Sequence, residues 1–418
     1  MLASAVHSLR AVADPAPALQ ERVSASAYSD RLCDASETVA KMRPLMSEFG
    51  ITRLAKVTGL DSVGIAVWAA MRPNSLTLAQ SQGKGINDSA AQASALMEAV
   101  EVATAERANL SFMRISPEAL ARAGLTFDSL EGMLRRECDP LSSDEAIDWV
   151  EGYDLLANRP VFVPGEAVTL WDGCVRSRYW QTTDGLASGN NLWEAVVHGL
   201  CERIERDAST LWLLRTDADI DGRCVDPASF DDAVVSRLCR AIRDAGLELR
   251  LFDASCDSAT PVFAAFVSPE VDGCEQFWKH FDLSSGWGCH PSPTRAAIRA
   301  ITEAAQTRLT TISAGRDDFN PELYRQPLNP SLLIYPRSEP RFRRDLAHGE
   351  APDRKALLSG MIEKLRRIGV RSIIVVPMEA GERGFAVARV LVPDLESPPA
   401  DRRTQFGRRA NAFIEAQS

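Results

Sequence analysis

Three glycine-rich segments, each leading into a long helical run, constrain the fold of this chain most strongly. The segments are SQGKGINDS, TTDGLASGNN and SSGWGCHPSP. The helical runs extend from Ser89 to about Asn109, from about Leu192 to Leu214 and from Thr294 to about Ser313. Stretches rich in β-branched and aromatic residues come before the segments, so the repeated order is strand, small-residue loop and helix. This order predicts an α/β (α+β) chain with mixed sheets, and it lacks the regular period of a solenoid.

The first helical run carries acidic residues on one stripe of an otherwise apolar helix. Ser94, Glu98 and Glu101 stand at i, i+4 and i+7 and fall within about 60° of one another around the helix axis. Their neighbours on the helix are mainly Ala, Leu, Met and Val. A carboxylate in such surroundings has to be paired, protonated or bound to a metal, because an unpaired buried charge is too costly.

The second helical run repeats this arrangement. Glu194, Glu202 and Glu205 fall within about 80° of one another around the axis. Asn190 lies in the loop before the helix, and Arg206 lies within it. Mg²⁺ prefers carboxylates such as these, with phosphate oxygens and water as its remaining ligands. A single helical glutamate is usually solvated surface, but two such helices in succession favour a metal site.

The first glycine-rich segment and the third helical run add further candidates. Lys84 could neutralise a nucleotide phosphate, although its segment lacks the G-x-x-x-x-G-K-[ST] spacing of a Walker loop and a surface turn is the alternative. Glu303 and Gln306 share one face of the third run. Arg308 lies about 140° from Glu303 and could share its site only through helix distortion, so Arg316 is a rival for that role.

Charge, cysteine content and hydropathy argue against several classes of protein. The 418 residues include 47 Lys and Arg against 57 Asp and Glu, and a net charge of −10 disfavours binding nucleic acid by bulk charge. The nine cysteines form no C-x-x-C pair, which is typical of reduced cytosolic thiols. The apolar run from Gly64 to Met71 is far too short to span a membrane, and the N-terminus lacks a signal-peptide core. We therefore expect a cytoplasmic chain that binds neither nucleic acid nor membrane.

Four segments, taken in order and with their spacing, resemble the YcaO family. They are SQGKG to ASALMEAVE (81–101), TTDGLASGNNLWEAVVHGLCERIERDA (182–208), GWGCHPSPTRAAIRAITEAAQTRL (286–309) and ARVLVPDLE (388–396). The resemblance implies a YcaO-type fold and an enzyme that uses ATP and Mg²⁺ to phosphorylate a peptide backbone amide oxygen before a nucleophile attacks the carbon. We expect a flexible arm over residues 1–27, a core with the ATP and Mg²⁺ site over 28–320, and a surface linker with the C-terminal α/β part over 321–418.

The resemblance also implies the site residues. Arg31 and Thr38 look like the family's basic residue and hydroxyl near the phosphates, and Glu303, Gln306 and Arg308 are the corresponding residues of the third helical run. The expected ATP-binding residues are Arg31, Thr38, Lys84, Ser94, Asn190, Arg206, Gln306 and Arg308. The expected metal ligands are Glu98, Glu101, Glu194, Glu202, Glu205 and Glu303. No covalent enzyme intermediate is required, so no catalytic nucleophile is assigned.

Two further features resemble the YcaO branch that acts with a TfuA-type partner. Val102 follows Glu101 where many members have arginine, Glu106 comes soon after, and residues 50–75 read GITRLAKVTGLDSVGIAVWAAMRPNS. The branch is associated with backbone thioamides, in which a sulfide equivalent attacks the activated carbon. A TfuA-like protein, a peptide or protein substrate and a sulfide donor are therefore the expected partners.

Alternatives to thioamide formation stay open. YcaO members that make azolines from Cys, Ser or Thr typically end in a proline-rich tail, whereas this sequence ends RRANAFIEAQS. An azoline-forming cyclodehydratase without that tail is the first alternative, and a catalytically inactive nucleotide-binding partner protein is the second. A homodimer is expected because homodimers are common among relatives.

Overall fold

The structure is a computed structural model that describes residues 28–170, 177–179, 181–316, 320–347, 354–398 and 406–417. The predicted arm over residues 1–27 lies outside these ranges. The helices are α1 (Ala35–Met42), α2 (Asp88–Glu106), α3 (Pro117–Arg122), α4 (Leu192–Trp212), α5 (Asp217–Gly222), α6 (Ala233–Asp244), α7 (Pro293–Ser313), α8 (Ile334–Arg337), α9 (Arg354–Arg367) and α10 (Arg408–Glu415). None of these described helices is long and apolar enough to span a membrane.

The described strands form three sheets. They are β1 (Arg53–Lys56), β2 (Val67–Met71), β3 (Gln80–Lys84), β4 (Phe112–Ile115), β5 (Ile147–Asp154), β6 (Arg159–Pro164), β7 (Leu186–Gly189), β8 (Cys224–Val225), β9 (Leu247–Asp253), β10 (Val262–Pro269), β11 (Ser284–Cys289), β12 (Ile374–Ala380) and β13 (Ala386–Leu391). The sheet orders are β1-β2-β3, β11-β10-β9-β8 and β4-β5-β12-β13-β7, with β6 also paired to β5.

The pairing of the strands is antiparallel throughout the three sheets. Parallel pairing among the described residues occurs only at two isolated bridges, Phe127 with Phe162 and Val225 with Arg341. The predicted α/β (α+β) class is confirmed. The parallel component of the predicted mixed sheets is limited to these two bridges.

The three predicted long helices are present, and each follows a glycine-containing strand. α2 follows β3, α4 follows β7 and α7 follows β11. The prediction that the glycine-rich segments are loops is wrong in part, because Gly83, Gly189 and Gly286 lie within strands. A Cβ at Gly83 would lie 2.0 Å from the backbone nitrogen of Ala95, and one at Gly286 would lie 2.1 Å from that of Ala304. These glycines let a helix backbone cross directly over its own strand.

The C-terminal part of the chain completes the largest sheet. β12 and β13 lie between β5 and β7, which come from much earlier in the sequence. Leu200 and Ile204 of α4 share a hydrophobic core with Val390 of β13. The helix that carries the second set of glutamates is therefore held in place by strands from the end of the chain.

Residues 320–347 differ from the predicted surface linker. Tyr335 of α8 stacks on Phe266 of β10, with ring centroids 3.8 Å apart. Leu346 is buried in a core that includes Phe230 and Phe263. Because Leu328, Tyr335 and Leu346 are buried, this segment is a packed connection, although its sequence is rich in proline and arginine.

Candidate functional site

A cavity of about 1300 Å³ is bordered by α2, α4 and α7 and brings most of the predicted site together. Its wall contains every predicted site residue except Glu194 and Arg308. The predicted residues in the wall are Arg31, Thr38, Lys84, Ser94, Glu98, Glu101, Asn190, Glu202, Glu205, Arg206, Glu303 and Gln306. Three helices that are distant in sequence thus present their polar faces to one space.

Glu98 and Glu101 line the cavity from α2. Glu101 Oε1 accepts hydrogen bonds from the backbone N–H of Ser188 at 2.8 Å and from its hydroxyl at 2.6 Å. Burial raises the pKa of Glu98 to about 7, although Lys84 opposes the shift. Burial also raises the pKa of Glu101 to about 8, although Ser188 opposes it. Both carboxyl groups are therefore partly protonated near neutral pH unless a cation takes the place of the proton.

Glu202 and Glu205 line the cavity from α4. Glu202 Oε1 accepts a hydrogen bond from Arg206 Nη2 at 3.5 Å, and Glu205 Oε2 accepts one from the backbone N–H of Cys289 at 3.0 Å. Burial raises the pKa of Glu202 to about 7 and also raises the pKa of Glu205. The two helices thus contribute one group of carboxyls whose negative charge is not fully compensated by neighbouring cations.

Glu194, a predicted metal ligand, lies behind the cavity wall. It accepts hydrogen bonds from Arg31 Nη1 at 3.2 Å, the backbone N–H of Asn190 at 2.9 Å and the Asn190 side-chain amide at 3.0 Å. Burial raises its pKa, but Arg31 and the Asn190 donors outweigh burial and bring the pKa below its ordinary value. Thr38 Oγ1 donates to Asn190 Oδ1 at 2.9 Å. In this structure Glu194 therefore positions Arg31 and Asn190 and does not face the predicted metal site.

Lys84 faces the cavity from β3 and pairs with Glu303 of α7. Burial raises the pKa of Glu303, but Lys84 outweighs burial and lowers it below the ordinary value. Gln306, one turn further along α7, donates to the backbone carbonyl of Gln82 at 2.9 Å. The third helix therefore supplies an ion pair and an amide to the same wall.

The structure contradicts the placement of Arg308 at this site. Arg308 Nε donates to Asp61 Oδ2 at 2.9 Å, and Arg308 does not line the cavity. The reason is the rotation of about 140° around α7 that separates it from Glu303. Arg316, the rival candidate, does line the cavity.

Sequence reasoning missed two acidic residues beside the predicted cations. Asp30 lines the cavity and pairs with His290 Nε2 at 2.7 Å and with Arg295. Burial lowers the pKa of His290 to about 3, so its imidazole is neutral at physiological pH. Asp184 lies 3.2 Å from Arg206 Nε. A single aspartate in a loop has no periodicity that could mark it, although Asp30 directly precedes Arg31 and Asp184 lies in a glycine-rich segment.

The residues that resemble the TfuA-associated branch have separate places in the structure. Val102 lines the cavity. Glu106 lies elsewhere and accepts hydrogen bonds from Arg72 Nη2 at 2.6 Å, from the Ser75 hydroxyl at 2.6 Å and from the Thr77 hydroxyl at 2.7 Å. Glu106 therefore anchors the connection between β2 and β3 to α2.

The donor set fits Mg²⁺ that is shared with a nucleotide. Glu98, Glu101, Glu202 and Glu205 offer carboxylate oxygens, and their raised pKa values indicate uncompensated burial. Within the described ranges, no three His, Cys, Asp or Glu side chains are close enough together to hold a metal alone. Mg²⁺ commonly binds through one or two carboxylates, water and substrate phosphate oxygens, so nucleotide phosphates would complete this site.

Comparison with known proteins agrees with this geometry. Residues 82–396 match the model of the family described as YcaO cyclodehydratase, ATP- and Mg²⁺-binding. An uncharacterized protein in the tfuA 3′ region of Rhizobium leguminosarum bv. trifolii is 39% identical, covering 94% of this chain and 95% of its own length. A protein of Methanothermobacter thermautotrophicus is 32% identical, covering 91% of this chain and 98% of its own length.

Two solved structures share the fold at low sequence identity. YcaO from Methanopyrus kandleri, bound with AMPPCP and Mg²⁺, has a TM-score of 0.70 and 22% identity, covering 92% of this chain and 97% of that protein. A heterocyclase in complex with substrate and cofactor has a TM-score of 0.70 and 20% identity; the match covers 88% of this chain but about half, 53%, of the heterocyclase. The match over residues 82–396 and the long alignments with both relatives show that this chain belongs to the YcaO family, whose members bind ATP and Mg²⁺.

Proposed function

We propose that this YcaO protein uses ATP and Mg²⁺ to convert a peptide backbone amide into a thioamide. The observation that carries the proposal is the convergence of Glu98, Glu101, Glu202 and Glu205 on one cavity with Lys84 and Arg31. The relative in the tfuA 3′ region, 39% identical over 409 residues, supports the choice of thioamide and of a TfuA-type partner. The resemblance of residues 50–75 to the TfuA-associated branch supports the same choice.

The chemistry balances with sulfide as the second nucleophile. The amide oxygen attacks the terminal phosphorus of ATP, the bond from phosphorus to the bridging oxygen breaks, and ADP leaves. A hydrosulfide then adds to the amide carbon. The carbon–oxygen bond breaks, inorganic phosphate departs with the former amide oxygen, and loss of a proton leaves a C=S group.

The residues of the cavity have two roles in this reaction, which are to bind Mg²⁺ and to orient the phosphates. Mg²⁺, when bound, neutralises charge on the phosphoryl group during its transfer. We propose that Glu98, Glu101, Glu202 and Glu205 share Mg²⁺ with the nucleotide phosphates, one or two of these carboxylates to each ion. Arg31 and Lys84 then orient the phosphates, because a fixed positive charge in a cavity partly shielded from water acts more strongly than in bulk water.

Azoline formation is the second candidate, and the description of the family as cyclodehydratases favours it. In that reaction a Cys, Ser or Thr side chain of the substrate attacks the activated carbon in place of sulfide. The cavity for ATP and Mg²⁺ is the same in both reactions. The two candidates therefore differ in the product and not in the first step.

Mass spectrometry of the product separates the candidates. We expect that the chain, a TfuA-type partner, a substrate peptide, ATP, Mg²⁺ and sulfide together give the mass gain of replacing one oxygen by sulfur. The mass loss of one water would instead establish azoline formation. Glu202→Gln is expected to lower product formation by about 100-fold or more, and unchanged yield in this variant would contradict the site assignment.

A further inference from the structure

Part of the cavity lining is aromatic and includes none of the residues predicted to bind ATP or Mg²⁺. The aromatic wall consists of Trp212, Phe266, Phe281, Trp287, Tyr324 and Tyr335, all of which line the cavity. Trp212 Nε1 donates to the Tyr335 hydroxyl at 3.1 Å, and the rings of Trp212 and Trp287 lie 6.3 Å apart. Tyr335 stacks on Phe266, and the centroids of Phe281 and Tyr324 are 5.8 Å apart. The rings of Trp212, Trp287, Tyr335 and Phe266 therefore hold one another in position, and Phe281 and Tyr324 form a second pair.

The aromatic wall continues directly from the carboxylates. Trp212 comes seven residues after Glu205 on α4, so it lies on the same helix face, two turns and about 10 Å further along. Trp287 comes two residues before Cys289, whose N–H donates to Glu205. That step is about 7 Å along β11. A ligand that lies against the aromatic wall is therefore adjacent to the group of carboxyls.

The size and lining of the cavity leave room for a second, apolar ligand. Its volume of about 1300 Å³ exceeds the roughly 300–1,000 Å³ of a pocket that encloses one drug-sized ligand. Leu283, Leu323 and Leu332 also line the cavity and are close in sequence to Phe281, Tyr324 and Tyr335. His280, which directly precedes Phe281, lines it as well. Leu213 lines the cavity and is 61% exposed, which places it where the cavity opens to solvent.

We propose that the aromatic wall binds an apolar side chain of the substrate peptide, next to the backbone amide that is activated. This inference rests on the proposed function, because amide activation requires a peptide beside the ATP site. Rings and leucines favour an aromatic or branched aliphatic side chain, because a charged side chain against them would lose its hydration. The chain thus selects peptides with an apolar residue at the modified bond.

Binding of capped dipeptides tests the proposal without requiring turnover. N-acetyl-Phe-Gly-amide and N-acetyl-Asp-Gly-amide are titrated against the full chain with Mg²⁺ and AMPPCP, and binding is followed by saturation-transfer NMR. We expect the Phe peptide to bind at least about fivefold more tightly than the Asp peptide. Leu213→Glu is expected to remove this preference while AMPPCP binding stays unchanged. Leu60→Glu is the matched control, because Leu60 is 57% exposed and lies away from the cavity.

Three results would overturn the proposal. They are equal binding of both peptides, unchanged preference in Leu213→Glu, and a loss of AMPPCP affinity in Leu213→Glu, which would assign the aromatic wall to the adenine base. Tyr324→Ala is the second variant in case Leu213→Glu fails to fold, and the same preference is expected to fall. Because no product is measured, an azoline product in the mass experiment would reject the thioamide proposal and leave this binding result intact.

Discussion

At the scale of single residues, the buried carboxyl groups of the cavity bind protons, and a metal cation must displace these protons in order to bind. Burial raises the pKa of Glu98 and Glu202 to about 7 and that of Glu101 to about 8. Each group is therefore largely protonated at mildly acidic pH, and metal binding has to displace those protons. By contrast, Lys84 lowers the pKa of Glu303, so Glu303 is ionised and has no proton to release when the metal binds.

Binding of Mg²⁺ with AMPPCP is therefore expected to release protons near pH 7 and to strengthen as the pH rises from 6 to 8. Calorimetry in two buffers of different ionisation enthalpy measures the released protons. Glu98→Gln is expected to release fewer protons than the unaltered chain. Affinity that does not change over this pH range would contradict the placement of these carboxyls at the metal.

The same raised pKa values predict how the stability of the metal-free chain depends on pH. A carboxyl whose pKa rises from 4.5 in the unfolded chain to about 7 or 8 in the folded chain favours folding when it is protonated. This contribution is complete below pH 4.5, decreases steadily as the pH rises above 4.5, and is lost once the pH passes about 7 to 8. The range of decreasing stability is therefore from about pH 4.5 to about pH 8. We expect the Tm without Mg²⁺ to fall over that range, and to fall less in the double variant Glu98→Gln and Glu101→Gln.

Two cations on opposite sides of the cavity boundary provide a matched comparison. Lys84→Met is expected to lower ATP turnover by about 100-fold, because it removes a charge that faces the phosphate site. Arg308→Met is expected to change turnover by less than about threefold, because Arg308 pairs with Asp61 outside the cavity. Steady-state kinetics at equal folded concentration checks both. Similar losses in the two variants would contradict the corrected placement of Arg308.

At the scale of elements, the crossing of a helix over its own strand depends on glycine. A Cβ at Gly286 would meet the backbone of α7 at 2.1 Å, and backbone cannot move aside as the end of a flexible side chain can. The helix that carries Glu303 and Gln306 would have to shift as a whole. Its distance from Lys84, on β3, would change with it.

Gly286→Ala is expected to lower the free energy of unfolding by about 1–3 kcal/mol, as overpacked cores do, and to weaken AMPPCP binding. Gly222→Ala is the control, because a Cβ there meets nothing within 4 Å. Urea denaturation followed by circular dichroism measures both. A neutral Gly286→Ala would show that α7 can move away from β11 at little cost.

At the scale of the whole molecule, the C-terminal helix α10 is bound by hydrogen bonds to α4, which carries Glu202 and Glu205. Asp207 is fully buried on α4, directly after Arg206, and accepts hydrogen bonds from Arg409 Nε and Nη2, both at 2.9 Å. It also accepts the backbone N–H of Glu396 at 2.9 Å. The glutamates on α4 therefore depend on contacts with residues 189 and 202 positions after Asp207.

Arg409→Ala is expected to cost about 3–5 kcal/mol of stability, because it leaves Asp207 buried without its charge partner. Arg367→Ala removes an exposed pair with Glu363 and is expected to cost less than about 1 kcal/mol. Denaturant titration of the two variants tests the difference. Equal costs would show that water reaches Asp207 and replaces the arginine.

The fold class, the three long helices and most of the residues that line the cavity follow from the sequence without coordinates. Helical periodicity alone places Glu98 with Glu101 and Glu202 with Glu205, because a face shared at i+3 or i+7 needs no knowledge of the rest of the chain. Local periodicity also gave the reason for doubting Arg308. The family resemblance added Arg31 and Thr38, which no local pattern marks.

Which polar groups face the cavity and which support it depends on contacts between distant parts of the chain. Glu194 lies on the same helix stripe as Glu202, yet it accepts hydrogen bonds from Arg31 and Asn190 and holds these two residues in place. Asp30, His290 and the aromatic wall come together from segments with no common period. Their proximity depends on long-range packing of strands and helices, and periodicity along a single helix carries no information about such packing.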